Sequence, residues 1–373
     1  MDDSLLEKGD LGPVPPDQEP LPRWRAAERA IYYQIMTCLA VLFLILQYHG
    51  LLTCARPPPR ARQVAGVPSY ALEYAPLVWL DVQEQYFPSD IAAQVENTHP
   101  GINYTTIGDL PSLTLDNLDV LNSYGDDGKY VYLTSNIDVT TAPKWLDGVV
   151  PDSSGKTNGA TSAAIIVNDH GAGLVDVFYM YFYAYNLGNT VLFQELGDHI
   201  GDWEHNMIRF QDGAPQEIWY SQHGNGEAFT YATVEKQGVR PVAYSARGSH
   251  ANYAIAGTHD HTIPDLNLPA GLIQDYTSQG MIWDPAQSAY FYSYDAASAS
   301  FTSADGISPT GAMRFRGQWG DEQYPDKDPR QKKFFGFYKF VSGPTGPWDK
   351  QLNRTKVCPD NGILCIVRDS LSP

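Results

Sequence analysis

The stretch Gly197-Asp198-His199-Ile200-Gly201-Asp202-Trp203-Glu204-His205 gathers ionisable side chains where a strand is expected to open. Side chains alternate along a strand, so Asp202 and Glu204 share one face and Trp203 and His205 take the other. Gly201 permits a tight turn, which lets His199 fold back toward the two carboxylates. One imidazole and two carboxylates converging on a point form a ligand set for a divalent cation such as Mg²⁺, Ca²⁺ or Mn²⁺. Zn²⁺ more usually recruits further His or Cys. The competing reading gives Asp202 and Glu204 ordinary buried hydrogen bonds or salt bridges and no ion.

Three further residues fall at strand ends near this point. Asn186 closes the aromatic run VDVFYMYFYAYN, His223 lies in YSQHG (220–224) and His250 in YSARGSHANY (244–253). Asn186, His223 and His250 are expected to support the cation ligands. The plainer role for the two histidines is to cap turns or bond backbone carbonyls. His259-Asp260-His261 reads either as a second metal or acid–base cluster or, more plainly, as a solvated loop. Asp126-Asp127 and Asp321-Glu322 read as exposed turns, and Arg314 with Arg316 as a solvated face. Ser154-Gly155-Lys156-Thr157 is not a phosphate loop, because Val150 stands where the upstream glycine belongs and no apolar strand leads in. Gly248-Ser249-His250 lacks the flanking glycines of a nucleophile elbow. With no nucleophile or cofactor loop evident, binding ranks above catalysis.

The scaffold for these residues reads as mainly β: a β-sandwich with long loops and few helices, preceded by one transmembrane helix. Strands are expected over 77–80, 129–133, 174–185, 204–210, 217–221, 239–245 and 334–341, most of them short, rich in aromatic and β-branched residues and bounded by turn formers. Helices are expected over 89–97 and 115–121. Residues 257–311 carry many turn residues and read as long loops draped over the sandwich.

The 373 residues hold 43 acids against 25 bases, a formal charge of −18. That excludes a general nucleic-acid binder, which needs a basic footprint. At 43% hydrophobic residues the chain can build a core. Residues 1–29 read as a disordered acidic tail, and 30–52 as a transmembrane signal anchor whose apolar run covers 35–46. Residues 53–69 form a Pro/Arg stalk, 70–348 the sandwich domain and 349–373 a C-terminal tail. The rival to an anchor is a signal peptide cut near Thr53-Cys54-Ala55, giving a secreted protein. Arg23, Arg25 and Arg29 on one side balance Arg56, Arg60 and Arg62 on the other, so charge does not orient the span. Glycosylation sequons at Asn103 and Asn353, and a disulfide expected between Cys358 and Cys365, favour a lumenal domain.

YAPLVWL (74–80), YFPSDI (86–91), GDHIGDWEH (197–205), YSQHG, YSARGSHANY and MIWDP (281–285) resemble the vacuolar protein sorting-associated protein 62 family over roughly residues 70–348. That resemblance implies a role in delivering proteins to the fungal vacuole and no established biochemical activity. More distantly, the chain is similar to the necrosis- and ethylene-inducing peptide-like proteins, which carry GHRHDWE after an aromatic strand. Alignment of the DWE triplets puts His199, Asp202 and Glu204 on that motif's first His, Asp and Glu, and His250 on a later histidine. The resemblance implies a divalent-cation site in a β-sandwich and recognition of sphingolipid headgroups. Asn186 falls near a further acidic ligand of that family, so a carboxylate is lost there.

Three functions are consistent with these readings. The chain is a membrane-anchored factor of vacuolar targeting with a divalent-cation site, a binder of anionic or glycosylated lipid headgroups, or a metal-dependent hydrolase with His250 or His205 as base.

Overall fold

The segment Leu174–Asn186 is buried at every position after the first, so both faces of this strand are covered. Val177, Tyr179, Tyr181 and Tyr183 enter one apolar layer, while Phe178, Met180 and Phe182 enter another. The period of two thus sorts aromatic side chains onto opposite sides of a single sheet. Each fully buried large apolar side chain contributes roughly 1.5–3 kcal/mol.

The structure, a computed structural model, describes residues 36–37, 63–261 and 271–371. The expected tail over 1–29, the span over 30–52 apart from Met36 and Thr37, and the stalk up to residue 62 lie outside the described residues. Met36 and Thr37 are helical. Among the described residues no helix is long and apolar enough to cross a membrane.

The unit Ala61–Pro373 opens with helix α1 (Ser69–Glu73), strand β1 (Leu77–Leu80) and helix α2 (Ile91–Glu96). The Asp90 carboxylate caps α2 by accepting from the amides of Ala92 and Ala93. An antiparallel meander follows: β2 (Ala163–Gly171), β3 (Leu174–Asn186), β4 (His199–Gln211), β5 (Ala214–Gln222) and β6 (Asn225–Thr230). Then come β7 (Arg240–Ser245), the hairpin of β8 (Gly257–Asp260) and β9 (Gln274–Thr277), β10 (Ala289–Asp295), β11 (Ser300–Ser303) and β12 (Val367–Arg368).

The main sheet has eight strands in the order β11-β10-β2-β3-β4-β5-β6-β12, with β10 parallel to β2 and β12 parallel to β6. A second sheet is built around β1 and β7, which run parallel. Val78, Leu80 and Ala243 of this second sheet share a core with Tyr179, Tyr181 and Ile208 of the main one. Loops and short helical turns carrying Leu118, Leu121, Met313, Phe315 and Trp319 cover the other face. The chain is mainly β with few helices.

Several boundaries differ from expectation. The described residues within 257–311 are not loop throughout: they supply β8 to β11, and β10 lies inside the main sheet beside β2. Strand β2 was not expected at all, because AAIIVN is a continuous apolar run that shows no alternation. The strand expected over 334–341 is a small hairpin of Lys333–Phe334 and Phe337–Tyr338. The strand expected over 129–133 shifts to Tyr132–Ser135, and the helix expected over 115–121 is the 3₁₀ turn Leu118–Ser123.

The tail expected over 349–373 is part of the fold. Leu352, Val357 and Cys358 enter the core, β12 pairs with β6, and Cys358 forms a disulfide with Cys365 at a Cα separation of 5.5 Å. The few apolar residues of this stretch have no regular spacing, so periodicity does not reveal them. At the other end, Val64 and Val67 pack partly buried against the core, which places the last residues of the expected stalk in the domain. Asn103 and Asn353 are both exposed.

Candidate functional site

Strand β4 pairs with β3 along its whole length, from Asn186 opposite His199 to Leu174 opposite Gln211. Its pairing with β5 stops at Asn206 opposite Tyr220. Beyond that point the Ser221 hydroxyl replaces the ladder: it accepts the His205 amide at 2.7 Å and donates to the Glu204 carboxylate. At His205 this edge of β4 is therefore met by a side chain instead of backbone.

Asp202 and Glu204 lie opposite Tyr183 and Tyr181, on the face shared with the second sheet, and both are buried. Gly201 has φ +67, and a Cβ there would fall 2.0 Å from the Trp319 carbonyl oxygen, so only glycine fits this bend. Just before the bend, the His199 ring donates from Nδ1 to the Gly201 carbonyl at 2.9 Å, which leaves the lone pair of the neutral ring on Nε2.

Asp202 accepts from His250 Nδ1 at 3.0 Å, and His250 Nε2 donates to the Tyr86 carbonyl at 3.0 Å. With both nitrogens donating, His250 positions Asp202 and has no lone pair to offer an ion. Its ring stacks on Tyr183 with centroids 3.7 Å apart. Burial pulls the His250 pKa down, but the Asp202 bond and the nearby Glu84 charge outweigh it, and the ring titrates above its ordinary value. Burial pushes Asp202 up, yet the His250 bond and the His199 ring hold it below the usual carboxylate range. For Glu204, burial and repulsion from Asp202 win over the Ser221 bond, and its carboxyl is pushed up to about 7. Two buried carboxylates that repel one another are ligands whose repulsion a hard divalent cation would relieve, and the donor atoms of His199, Asp202 and Glu204 do not all lie within 4.8 Å of one another in this structure.

His223 takes a different place from the one expected. It sits in the two-residue turn between β5 and β6 with φ +55, in the left-handed region. Its Nε2 donates to Asp275 Oδ2 at 2.8 Å. Burial opposes protonation, but the Asp275 charge and hydrogen bond, aided by Glu204 and Asp202, push the ring up to about 9. Asn186 donates from Nδ2 to the Gly197 carbonyl at 3.1 Å and so ties the β3–β4 connection together. Among the described residues, the trio of donor atoms lying within 4.8 Å of one another is His223, His261 and Asp275. His199, Asp202 and Glu204 instead each bond a protein partner and influence one another through their charges.

A cavity of about 280 Å³ opens at this edge, lined among others by Trp203, Glu204, Trp219, His223, Lys350 and Arg354. Arg354 is buried and, among the described residues, makes no ion pair with a carboxylate. It donates to His205 Nε2 at 2.8 Å and to the carbonyls of Gln351, Val357 and Lys350, and burial pulls its guanidinium down to about 9. Sequence reasoning missed Lys350 and Arg354 because they lie in the stretch read as a tail. It missed Asp275 because no strand was expected there. His259 and Asp260, read more plainly as solvated, are buried on β8, and Asp321, read as an exposed turn, is buried against Tyr324.

Residues 57–332 match the family described as vacuolar protein sorting-associated protein 62. The chain belongs to this family. Among its curated relatives, the putative vacuolar protein sorting-associated protein TDA6 of Saccharomyces cerevisiae is 36% identical over 323 residues, covering 78% of this chain and 68% of that protein. Vacuolar protein sorting-associated protein 62 of Saccharomyces cerevisiae is 33% identical over 333 residues, covering 80% of this chain and 68% of that one. Among solved structures, NLPPya in complex with mannosamine aligns with a TM-score of 0.30 at 11% identity, over 64% of this chain and 79% of that one. Necrosis and Ethylene inducing Protein 2 from the causal agent of cocoa's Witches Broom disease aligns with a TM-score of 0.25 at 13% identity, over 52% and 71%. In this member of the vacuolar protein sorting-associated protein 62 family, β4 brings segment GDHIGDWEH against YSQHG through Ser221 and against YSARGSHANY through His250.

Proposed function

We propose that this chain is a membrane-tethered, non-enzymatic factor of the secretory and vacuolar system. Its β-sandwich domain binds the polyhydroxylated headgroup of a glycosylated or anionic lipid in the cavity beside Glu204. A divalent cation (Mg²⁺, Ca²⁺ or Mn²⁺) held by His199, Asp202 and Glu204 orders that surface. The observation that carries this reading is Glu204 itself: a buried carboxylate repelled by the charge of Asp202, on a stretch of β4 that β5 does not pair, on the wall of a 280 Å³ cavity. Two indole-bearing residues among charged and amide side chains make a lining suited to a sugar, whose rings stack on aromatic faces and whose hydroxyls need fixed polar partners. Family membership supports the cellular setting, and the apolar run over 35–46 supports the tether.

The full chain in detergent micelles gives the test. Trp203 and Trp219 line the cavity, so tryptophan fluorescence reports on its contents. Titration with soluble hexosamines is expected to give a saturable change in the presence of Ca²⁺ that EDTA and Glu204→Gln both abolish. A response indifferent to cation and to Glu204, or no response across hexosamines and inositol phosphates, would overturn the reading.

A further inference from the structure

We propose that His223, His261 and Asp275 form a second metal site, selective for a borderline dication of the Zn²⁺ type and separate from the carboxylate pair on β4. Three elements bring these residues together. His223 comes from the turn between β5 and β6, His261 follows β8, and Asp275 lies on β9. Their donor atoms fall within 4.8 Å of one another. His223 Nε2 lies 2.8 Å and His261 Nε2 3.7 Å from the same oxygen, Asp275 Oδ2. Two ligands about 2.0–2.2 Å from a tetrahedral Zn²⁺ stand about 3.3–3.6 Å apart. The observed separations bracket that value, so small side-chain adjustments admit the ion.

The site is preorganised. Asp275 also accepts from Ser249 Oγ at 2.7 Å, Tyr253 OH at 2.8 Å and Asn189 Nδ2 at 3.0 Å, which fixes its carboxylate. His223 takes the left-handed backbone conformation that its two-residue hairpin turn requires. The two imidazoles lie against each other with centroids 4.2 Å apart and planes tilted by 30°. Among the described residues the buried His261 Nε2 has no hydrogen-bond partner, although an acidic oxygen lies close by. A metal ion supplies the missing partner, taking the place of the proton that now joins His223 to Asp275.

Ligand chemistry separates this site from its neighbour. Two imidazoles and one carboxylate suit Zn²⁺, whereas paired carboxylates suit hard cations. The His223 and His261 side chains retain 32% and 22% of their accessibility, so an ion reaches them from solvent. Bound there, it would fasten the β5–β6 turn to the β8–β9 hairpin and close one wall of the Glu204 cavity.

The test uses the full chain in detergent micelles, stripped with chelator and titrated with Zn²⁺ against a chromophoric competitor. Zn²⁺ is expected to bind at one equivalent to wild type and to Asp202→Asn alike. In His261→Ala, a partly exposed position, affinity should fall by roughly 100-fold or more, at or beyond the loss that follows removal of a supporting group alone. Co²⁺ should give the visible absorption of a tetrahedral site in wild type and lose it in His261→Ala. His223→Gln serves as a second variant, with the same loss expected. Zn²⁺ binding unchanged in both histidine variants, no binding by wild type, or binding lost in Asp202→Asn and kept in His261→Ala would each overturn the site.

Discussion

The Nδ1 of His250 lies 3.0 Å from the Asp202 carboxylate, while its Nε2 holds the Tyr86 carbonyl at 3.0 Å. This pair ties the loop after β7 to the first turn-side residues of β4 and sets the direction of the carboxylate. His250→Ala strands a buried acid without its donor, and breaking a buried pair in this way costs on the order of 3–5 kcal/mol. Urea unfolding should show that loss, together with weakened cation binding. Unchanged stability would mean that Asp202 does not depend on His250.

Glu204 gives a prediction of opposite sign. Its folded pKa, about 7, lies above the ordinary carboxylate value. Its ionisation therefore costs nothing below about pH 4.5, costs progressively more as pH rises, and costs the full amount above pH 7. In EDTA, Glu204→Gln should leave stability unchanged near pH 4.5 and raise it by up to about 3 kcal/mol at pH 8. Unfolding curves at the two pH values check this, and a destabilised variant at pH 8 would contradict it.

His259 works in the acid direction. It is buried, stacks on Tyr253 with centroids 3.7 Å apart, and accepts or donates at Thr277 Oγ1 over 3.0 Å. Burial pulls its pKa down to about 4, against the Asp275 charge. A ring held neutral in the fold contributes stability above pH 6.5 that is lost as pH falls toward 4. His259→Gln in EDTA should flatten this acid limb by up to about 3 kcal/mol. Equal slopes for the variant and wild type between pH 6.5 and 4 would reject the assignment.

The Cys358–Cys365 link closes a short loop next to Val357 and Leu352 in the core. Loop closure of this length stabilises by about 2–3 kcal/mol in the chain-entropy account. Cys365→Ser should show that loss in non-reducing urea unfolding, and dithiothreitol should produce no further loss in the variant. A variant as stable as wild type would show that packing of the segment alone holds it.

The legible part of the fold was the part that alternates or ends in turn formers. The run 174–185 showed its strand because aromatic and β-branched residues crowd it, with Phe178 and Met180 alternating with Tyr179 and Tyr181, and GDWEH showed two carboxylates at the spacing of one strand face. Strand β2 and the β8–β11 region were hidden for opposite reasons, one being uniformly apolar and the other rich in turn residues. Of the supporting residues, His250 does meet Asp202, whereas His223 turns to Asp275, a partner 52 residues away that no local pattern announces. Arg354 and Lys350 reach the cavity because a disulfide-closed segment folds back, and spacing alone does not encode that return.

The central claim is that Asp202 and Glu204 hold a hard cation. Isothermal titration of the chelator-stripped full chain with Ca²⁺, Mg²⁺ and Mn²⁺ tests it most directly, comparing wild type, Asp202→Asn and His261→Ala. Saturable heats at one equivalent in wild type and His261→Ala, absent in Asp202→Asn, are the predicted result. Equal heats in wild type and Asp202→Asn, or no heats from any of the three ions, would contradict it.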